Sequence, residues 1–494
     1  MIFERFTEAA NQHRNGLAIV DGDQRITYGQ LHERVAALRA WLQQNLNPRP
    51  GAVIAVAISN TWQFAASFFA IAELGAVFIP CNPQWRAAEL GWLVERLGIS
   101  GVIAESPFRA AWEQIGDLIP PQSVLTMPTG AIPEGRGTAP PRQPESPNEA
   151  MVYLTTSGST GVPRIVPRSH RNLEAGAGNA AASLGIGPGH RLLSVLPFHH
   201  ANGFHNCMLM PLLCGATLVV MPRFTGAACA ELIRREKVNW LIGSPAVYKF
   251  LAESADPKQL SSLELPFCGG ARLPEAVSRT WSERFGIRLR QMYGMAETSV
   301  ITMDRAAERQ TSEAGTYVGS PIAGLEVRVM DAAGNALGSG AVGEIAVRSD
   351  AVMSGYFGEP ELNRIIFHDG FFRTGDSGCT DASGNLYLTG RIRRVINIGG
   401  VKVDAVEVEQ AIEALDGVSE CHVDTVTNSF GGEAIRARVT VCAGMPLDRR
   451  DVIEHCRQRL AEYKLPRIIE FVDSVPTTMT GKVPAAWKTD EPVR

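Results

Sequence analysis

The sequence lacks the cysteine and histidine spacings of a zinc protein or a disulfide-stapled secreted domain. Its nine cysteines are odd in number, and no two of them form a C-x-x-C pair. The ten histidines complete no zinc-ligand spacing with them. Most of the cysteines lie in apolar runs, which is typical of small core residues in a reducing compartment.

Long hydrophobic runs and a strong charge imbalance are absent too. No apolar run approaches the length of a membrane span, and the first residues lack the layout of a signal peptide. A formal net charge of -4 gives no electrostatic reason to expect nucleic acid or an anionic membrane as a partner. We therefore expect a cytoplasmic monomer or homodimer that binds small ligands.

The hydrophobic pattern predicts a doubly wound α/β fold. A buried-strand pattern at 51–60, a helical pattern at 61–75 and a strand pattern at 76–83 imply a right-handed crossover and a parallel sheet. Further along the chain, helical patterns separate more strand patterns in the same way. These strand patterns lie at 191–197, 216–222, 238–245, 263–270 and 287–294.

The other segments predict a large first domain and a small second one. Residues 25–46 have helical spacing after a capping Thr27, and 122–150 are rich in Pro, Gly and Ser, as in a surface connector. Beyond Gly315, short strand patterns predict a β-rich lobe, a small distorted barrel. We place the N-terminal domain at 1–391 and a small α+β C-terminal domain at 392–494.

The stretch 153–172 has the composition of a phosphate-binding loop. Gly158 and Gly161 let the backbone bend sharply, while Arg164 and Arg168 supply positive charge. A strand pattern precedes the loop and a helical pattern follows it. The loop has no Walker A GK pair, which excludes that motif. The hydroxyl side chains that would face an anion are Thr155, Thr156, Ser157, Ser159 and Thr160.

This loop resembles the phosphate-binding loop S-G-[ST]-T-G-x-P-K-G of the acyl-adenylate-forming superfamily. That superfamily contains acyl- and aryl-CoA synthetases, peptide-synthetase adenylation domains and beetle luciferases. Arg164 stands where the family has Lys, and Ile165 where it has Gly. Four further stretches resemble family motifs and follow in the family's order, namely PFHHANG at 197–203, QMYGMAETS at 291–299, FFRTGDS at 371–377 and TGK at 480–482.

The resemblance implies that ATP and Mg²⁺ are the cofactors. Glu297 would hold the metal, and Lys482, His200 and Thr156 would be the other catalytic residues. Tyr293 would stack on adenine. Ala296 replaces the hydroxyl residue of the family signature, and the neighbouring Thr298 is a candidate to compensate. The implied nucleotide-binding residues are Thr155, Ser157, Gly158, Ser159, Thr160, Gly161, Arg164, Gly270, Ala271, Arg272, Tyr293, Gly294, Thr298, Asp376 and Arg391, the last two as ribose ligands.

The implied substrate is a small carboxylic acid. His200 matches a family position between the acyl pocket and the thiol channel. Ala201 lies where amino-acid-activating relatives carry Asp, and Ala cannot offset a buried ammonium, so we expect an apolar or aromatic acid instead of an α-amino acid. The expected pocket residues are His200, Trp240, Gly243, Gly269, Gly270, Met292, Met295 and Ala296.

The acceptor of the acyl group stays open between three classes. Coenzyme A is the default, and a carrier-protein phosphopantetheine arm or an amine would use the same intermediate. Asn397 lies where several thioester-forming relatives carry Lys, which is a slight mark against coenzyme A. Arg393 matches the hinge about which the C-terminal domain would turn. A phosphotransferase and a nucleotide-binding protein without turnover are the competing functions.

Overall fold

The computed structural model describes residues 1–131, 141–142, 146–156, 164–271, 273, 275–306, 315–391, 395–398, 401–427, 433–442, 445 and 447–473. A π-helix, Asn202–Leu209, directly precedes α7. The helices are α1 Ile2–Gln12, α2 Tyr28–Asn45, α3 Trp62–Glu73, α4 Ala87–Leu97, α5 Ser106–Glu113, α6 His170–Leu184, α7 Met210–Leu213, α8 Gly226–Glu236, α9 Pro245–Ser254, α10 Glu275–Phe285, α11 Pro360–Ile366, α12 Ala405–Glu413 and α13 Arg449–Arg457.

The strands divide into a large sheet, a six-stranded sheet and two small C-terminal sheets. They are β1 Leu17–Asp21, β2 Gln24–Thr27, β3 Val53–Ala57, β4 Val77–Pro80, β5 Ile99–Glu105, β6 Val124–Met127, β7 Ala150–Thr156, β8 Arg164–Ser169, β9 Arg191–Ser194, β10 Thr217–Val220, β11 Trp240–Gly243, β12 Leu265–Cys268, β13 Arg290–Met295, β14 Ser299–Met303, β15 Thr316–Pro321, β16 Glu326–Met330, β17 Gly343–Arg348, β18 Phe367–His368, β19 Phe371–Thr380, β20 Leu386–Arg391, β21 Val395–Ile398, β22 Val401–Asp404, β23 Val418–Thr427, β24 Glu433–Val441 and β25 Ile468–Phe471.

The predicted doubly wound α/β architecture is confirmed. Strands β9 to β13 lie side by side in the order β13-β12-β11-β9-β10, and every neighbouring pair is parallel. In the second sheet, of order β6-β5-β3-β4-β7-β8, β3 pairs in parallel with β4 as expected. Helix α3 is buried along its whole length, and its apolar residues on every side explain that position.

Two expectations for less regular segments need correction. The segment 122–150 is not connector throughout, because Val124–Met127 pairs in parallel with β5. Beyond Gly315, the described strands form no separate barrel. They continue the large sheet in the order β14-β15-β20-β19-β17-β16. The chain reverses direction after β13, so that β14 pairs antiparallel with it.

The phosphate-loop segment connects two antiparallel strands. β7 and β8 pair from Ala150↔Ser169 to Thr156↔Arg164, so the chain returns along β8 before it enters α6. Ser169 caps α6 by accepting a hydrogen bond from the backbone N–H of Asn172 at 3.1 Å. A strand before the loop and a helix after it were predicted correctly, but the strand between loop and helix was not.

The C-terminal part forms a small α+β domain with its own core. Val403 and Val408 pack with apolar residues of β23, β24 and α13 in a cluster confined to this part of the chain. The boundary at residue 391 stays a prediction, and Arg393 lies outside the described residues. Among the helices that the structure describes, none is long and apolar enough to cross a bilayer.

Two fully enclosed histidines predict how stability depends on pH. Burial lowers the pKa of His170 and of His205 from 6.5 to about 4. The unfolded chain therefore binds more protons than the folded one between these values, and the free energy of unfolding should fall as pH falls from about 6.5 to about 4. Each histidine should lower the free energy of unfolding at pH 5 by on the order of 1–2 kcal/mol.

Denaturant unfolding at pH 7.5 and pH 5 tests this dependence. The His170→Gln variant should lose less stability between the two pH values than the unsubstituted protein. His368→Gln is the control, because that side chain is 41% exposed. Equal losses in all three proteins would contradict the assignment.

Candidate functional site

One cavity lies where the large sheet, the six-stranded sheet and the C-terminal domain meet. Residues at or just after the carboxyl ends of parallel strands line it, including Pro80 at the end of β4 and Gly270 after β12. This is the edge at which ligands bind in doubly wound sheets. Val401, Tyr463 and Lys464 contribute to the wall from the C-terminal domain.

The predicted ribose ligand Asp376 lies in a tight polar arrangement. The Tyr293 hydroxyl donates to Asp376 Oδ2 at 2.6 Å, and the backbone N–H of Asp376 donates to Thr374 Oγ1 at 3.1 Å. Asp376 in β19 is the register partner of Arg391 in β20. The antiparallel pairing thus brings the backbones of the two predicted ribose ligands opposite each other, and Asp376 lies on the cavity wall.

The predicted metal ligand Glu297 is 5% exposed and lines the cavity. Its Oε1 accepts a hydrogen bond from the Tyr356 hydroxyl at 2.7 Å. The guanidinium of Arg164, at the end of the phosphate loop, lies 5.4 Å from the centre of the Tyr356 ring. Tyr356 therefore connects the phosphate loop with the carboxylate, a role that the sequence reading missed.

Arg168 is a buried cation behind this wall. It is 1% exposed and donates to the carbonyl of Ala296, to Ser299 Oγ at 3.0 Å and to the carbonyl of Ala351 at 2.7 Å. Burial lowers its pKa to about 10, so it stays charged near neutral pH. Two of its acceptors flank Glu297, so Arg168 fixes the backbone that carries the carboxylate.

His200 lies on the cavity wall as a neutral imidazole. Burial lowers its pKa to about 4, and its ring centre is 4.4 Å from that of His199. Ala201 lies next to it on the wall. Its methyl group stands at the position that was compared with the Asp of amino-acid-activating relatives. This half of the wall can pack against an uncharged part of a substrate.

The structure brings many of the predicted residues to the cavity and leaves others away from it. The lining includes Thr155, Thr156, Arg164, His200, Gly270, Met292, Gly294, Met295, Ala296, Glu297 and Asp376. Described but absent from the lining are Trp240, Gly243, Gly269, Ala271, Tyr293 and Thr298. Outside the described residues lie Ser157, Gly158, Ser159, Thr160, Gly161, Arg272 and Lys482, and the side chains of Arg391 and Asn397.

Strand geometry explains several of these absences. Trp240 begins β11, at the opposite end from the ligand edge, and packs in an apolar cluster with 0% exposure. Gly243 and Gly269 allow close packing of neighbouring side chains. A Cβ on Gly243 would lie 2.9 Å from Val247, and one on Gly269 would lie 2.7 Å from Met292. Thr298 is fully buried, and its hydroxyl donates to the Ser299 carbonyl at 3.0 Å.

A charged contact joins the two domains beside the cavity. Lys464 Nζ lies 2.6 Å from Glu407 Oε1 within the C-terminal domain and 3.3 Å from Glu89 Oε1 of α4. The three side chains are 6%, 10% and 14% exposed, respectively. Burial lowers the pKa of Lys464, but the Glu407 carboxylate outweighs it and the net shift is upward, so the ammonium is retained. Nothing in the sequence pattern marked this lysine as an interdomain residue.

The cavity fits a metal that phosphate oxygens hold in large part. No cluster of three or more acidic, histidine or cysteine side chains suited to a metal occurs within the described ranges. Glu297 supplies a single carboxylate at the wall, which suits Mg²⁺ because that ion keeps water and phosphate as most of its ligands.

The fold and the cavity define a two-domain α/β enzyme class that binds a nucleotide at the sheet edge. Family models agree: residues 6–357 match the AMP-binding enzyme family and residues 407–482 match the AMP-binding enzyme C-terminal domain. The chain belongs to the AMP-binding enzyme family, and the predicted acyl-adenylate-forming resemblance is confirmed.

Relatives cover almost the whole chain. A feruloyl-CoA synthase of Amycolatopsis sp is 31% identical over 481 residues, 96% of this chain and 95% of that protein. The amide bond synthetase McbA from Marinactinospora thermotolerans has a TM-score of 0.89 at 28% identity, covering 99% and 100% of the two chains. ATP-bound MatB from Rhodopseudomonas palustris has a TM-score of 0.73 at 26% identity, covering 98% and 97%.

Proposed function

We propose that this protein is an AMP-forming acid ligase. It joins a carboxylic acid to the α-phosphate of ATP with release of pyrophosphate, and then transfers the acyl group to an acceptor. The observation that carries this proposal is the wall of one cavity, which includes Glu297, Asp376, Arg164, Thr155, Thr156 and His200.

The chemistry follows from charge. A carboxylate resists nucleophilic attack because attack adds negative charge to an anion. When its oxygen bonds to the α-phosphorus, the bond to the bridging oxygen of pyrophosphate breaks, and AMP becomes the leaving group for the acceptor. Because the transition state spreads charge over phosphoryl oxygens, positioned cations and donors supply most of the catalysis.

The residues divide this work as follows. Phosphate oxygens accept hydrogen bonds from Arg164, Thr155 and Thr156. Asp376, an acceptor-only carboxylate, accepts hydrogen bonds from the ribose hydroxyls. Glu297 would hold Mg²⁺, which would neutralise phosphate charge. Lys482 donates to the developing charge at the reacting phosphate.

We propose coenzyme A as the acceptor, with an amine as the second candidate. Similarity to a feruloyl-CoA synthase supports the thiol, and similarity to the amide bond synthetase McbA supports the amine. Asn397, in place of the lysine of thioester-forming relatives, favours the amine. A carrier-protein phosphopantetheine arm is the third acceptor to test. Mass spectrometry of products formed with coenzyme A and with simple amines decides between the first two.

Acid-dependent exchange of labelled pyrophosphate into ATP tests the first half-reaction. The Lys482→Ala variant should lose about a hundredfold or more of this exchange, because the lost charge acts in the transition state. Lys258→Ala, at an exposed position, is the matched control. Near-normal exchange in Lys482→Ala would refute the lysine's role, and ADP as the product would identify a phosphotransferase. No exchange with any acid of a broad panel would leave a nucleotide-binding protein without turnover.

The Lys464 contact predicts a selective effect on the second half-reaction. Lys464 belongs to the C-terminal domain and Glu89 to the N-terminal domain, so their contact stabilises one arrangement of the two domains, which we propose is the arrangement used in acyl transfer. Lys464→Met would leave Glu89 and Glu407 as uncompensated neighbours and weaken that arrangement. Acyl transfer should slow about tenfold while pyrophosphate exchange stays within about twofold.

Single-turnover measurements of the two half-reactions check this prediction. Lys258→Met is the matched control and should change neither rate. An exchange rate that falls as far as the transfer rate would show that the contact does not distinguish the two arrangements.

A further inference from the structure

Three polar side chains of the π-helix line the cavity next to His200. Asn202, His205 and Asn206 all contribute to the wall, and His205 and Asn206 are buried at 2% and 6% exposure. Polar side chains at such depth are costly unless each hydrogen-bonding atom has a partner, so their bonds carry information about what the cavity binds. The proposed adenylation chemistry uses none of them.

Two glycines fix this arrangement. A Cβ on Gly203 would lie 2.0 Å from the Pro197 carbonyl oxygen, so only glycine lets the π-helix begin this close to the preceding loop. A Cβ on Gly176 of α6 would lie 2.8 Å from His205 Nε2. The imidazole is therefore pressed against α6, where its Nε2 meets the Leu173 carbonyl at 3.2 Å.

The protonation of His205 follows from that contact. A carbonyl accepts only, so Nε2 carries the hydrogen and donates it to Leu173. Burial lowers the pKa of His205 to about 4, so the ring is neutral at pH 7 and Nδ1 is an acceptor. The atom that faces Nδ1 at 3.1 Å is assigned as Asn206 Oδ1, another acceptor.

The conflict disappears when the amide is turned. The oxygen and nitrogen ends of an amide have nearly the same shape, so bonding partners decide its orientation. Asn206 then donates through Nδ2 to His205, and its Oδ1 faces Asn202 across the 2.8 Å contact between the two side chains. Asn202 must therefore turn its Nδ2 toward this oxygen and donate the hydrogen bond.

The orientation of Asn202 is thereby fixed as well. Its outer end, assigned as Nδ2, lies 3.5 Å from where a Cβ on Gly269 would stand, and the hydrogen bond to Asn206 is made by the other end of the amide. Once the amide is turned, this outer end is the carbonyl oxygen. The side chain that lines the cavity next to Gly269 and Met292 therefore offers an acceptor.

We propose that Asn202 selects acids that carry a hydrogen-bond donor, a hydroxyl or a ring N–H, on the part of the molecule that contacts the π-helix. Asn202 is the specificity-determining residue, and His205 and Asn206 are positioning residues that fix its polarity. The inference rests on the proposed acid ligase function and narrows its substrate class. Asn202 is half-buried in the free protein, and a bound acid would exclude water from its acceptor. An otherwise identical acid without a donor would leave that acceptor unpaired and is penalised for it.

Pairs of acids that differ only in the donor test the proposal directly. Suitable probes are indole-2-carboxylic against benzofuran-2-carboxylic acid, and 3- and 4-hydroxycinnamic acids against their methyl ethers. In pyrophosphate exchange, the unsubstituted protein should show kcat/KM at least tenfold higher for the donor-bearing member of one or more pairs. Ratios near one, or below one, across every pair would overturn the proposal.

Variants assign the preference to its residues. Asn202→Leu should bring the ratio to about one while it retains exchange with the donor-free acid, and Asn45→Leu, at an exposed position, should leave the ratio unchanged. His205→Leu should lower the ratio too, because Asn206 and Asn202 can then turn either way. A preserved ratio in Asn202→Leu would contradict the assignment.

Nitrogen-15 NMR of the imidazoles keeps the test independent of variant stability. The resonance assigned to His205 by comparison with His205→Gln should show the Nε2–H tautomer at pH 7, and an Nδ1–H tautomer would overturn the proposed polarity. Failure of the proposed function is distinguishable, because it would appear as no exchange with any acid, whereas exchange without a donor preference contradicts only this inference.

Discussion

The geometry of the site depends on the buried guanidinium of Arg168, which contacts no carboxylate among the residues that the structure describes. Removing the charge of Arg168 from water is costly, and two backbone carbonyls and a hydroxyl offset that cost. These acceptors belong to the turn between β13 and β14 and to the loop after β17. One side chain therefore holds the strand after the phosphate loop, the Glu297 turn and that loop in a single arrangement.

The turn itself is strained, which makes this support necessary. Ser299 has a φ of 62°, a left-handed conformation that costs a residue with a Cβ on the order of 1 kcal/mol. Its hydroxyl accepts from Arg168, so the same hydrogen bond that satisfies the cation also holds the strained residue. Glu297 is positioned by its backbone from behind and by the Tyr356 hydroxyl from the side.

The cavity wall contains charged side chains that suit a nucleotide and neutral side chains that suit the rest of an acid. Arg164, Glu297 and Asp376 provide ionic groups where a nucleotide would lie, whereas His200 and His205 are neutral because burial lowers their pKa values to about 4. A neutral wall does not compete with Mg²⁺ or the cations for phosphate. It can instead discriminate between acids by hydrogen-bond polarity and shape.

Local patterns predicted the elements whose signals are periodic or tied to a motif. Strands β9 to β13, the cap at the start of α2 and the glycines near the loops follow from alternation and turn chemistry in the sequence itself. Long-range contacts were not predictable in this way. The bond from Tyr356 to Glu297 joins residues 59 apart, and that from Lys464 to Glu89 joins residues 375 apart, so no window of sequence contains both partners.

The missed pocket residues have a similar explanation. The i, i+4 spacing of Asn202 and Asn206 resembles an ordinary helix surface, and their position on the cavity wall follows from how Gly203 and Gly176 let the π-helix approach its neighbours. Trp240, by contrast, was expected in the pocket as part of the segment 240–245. Strand direction, which only the assembled sheet reveals, turns it to the opposite end.

Transfer of an oxygen isotope tests whether the enzyme joins the carboxylate to the α-phosphate of ATP. An acid labelled with oxygen-18 in its carboxylate is incubated with the enzyme, ATP and Mg²⁺, with the acceptor present, and the products are weighed by mass spectrometry. Because the carboxylate oxygen bonds to the α-phosphorus, the account predicts AMP that carries one labelled oxygen. Unlabelled AMP, or label in inorganic phosphate together with ADP, would contradict it.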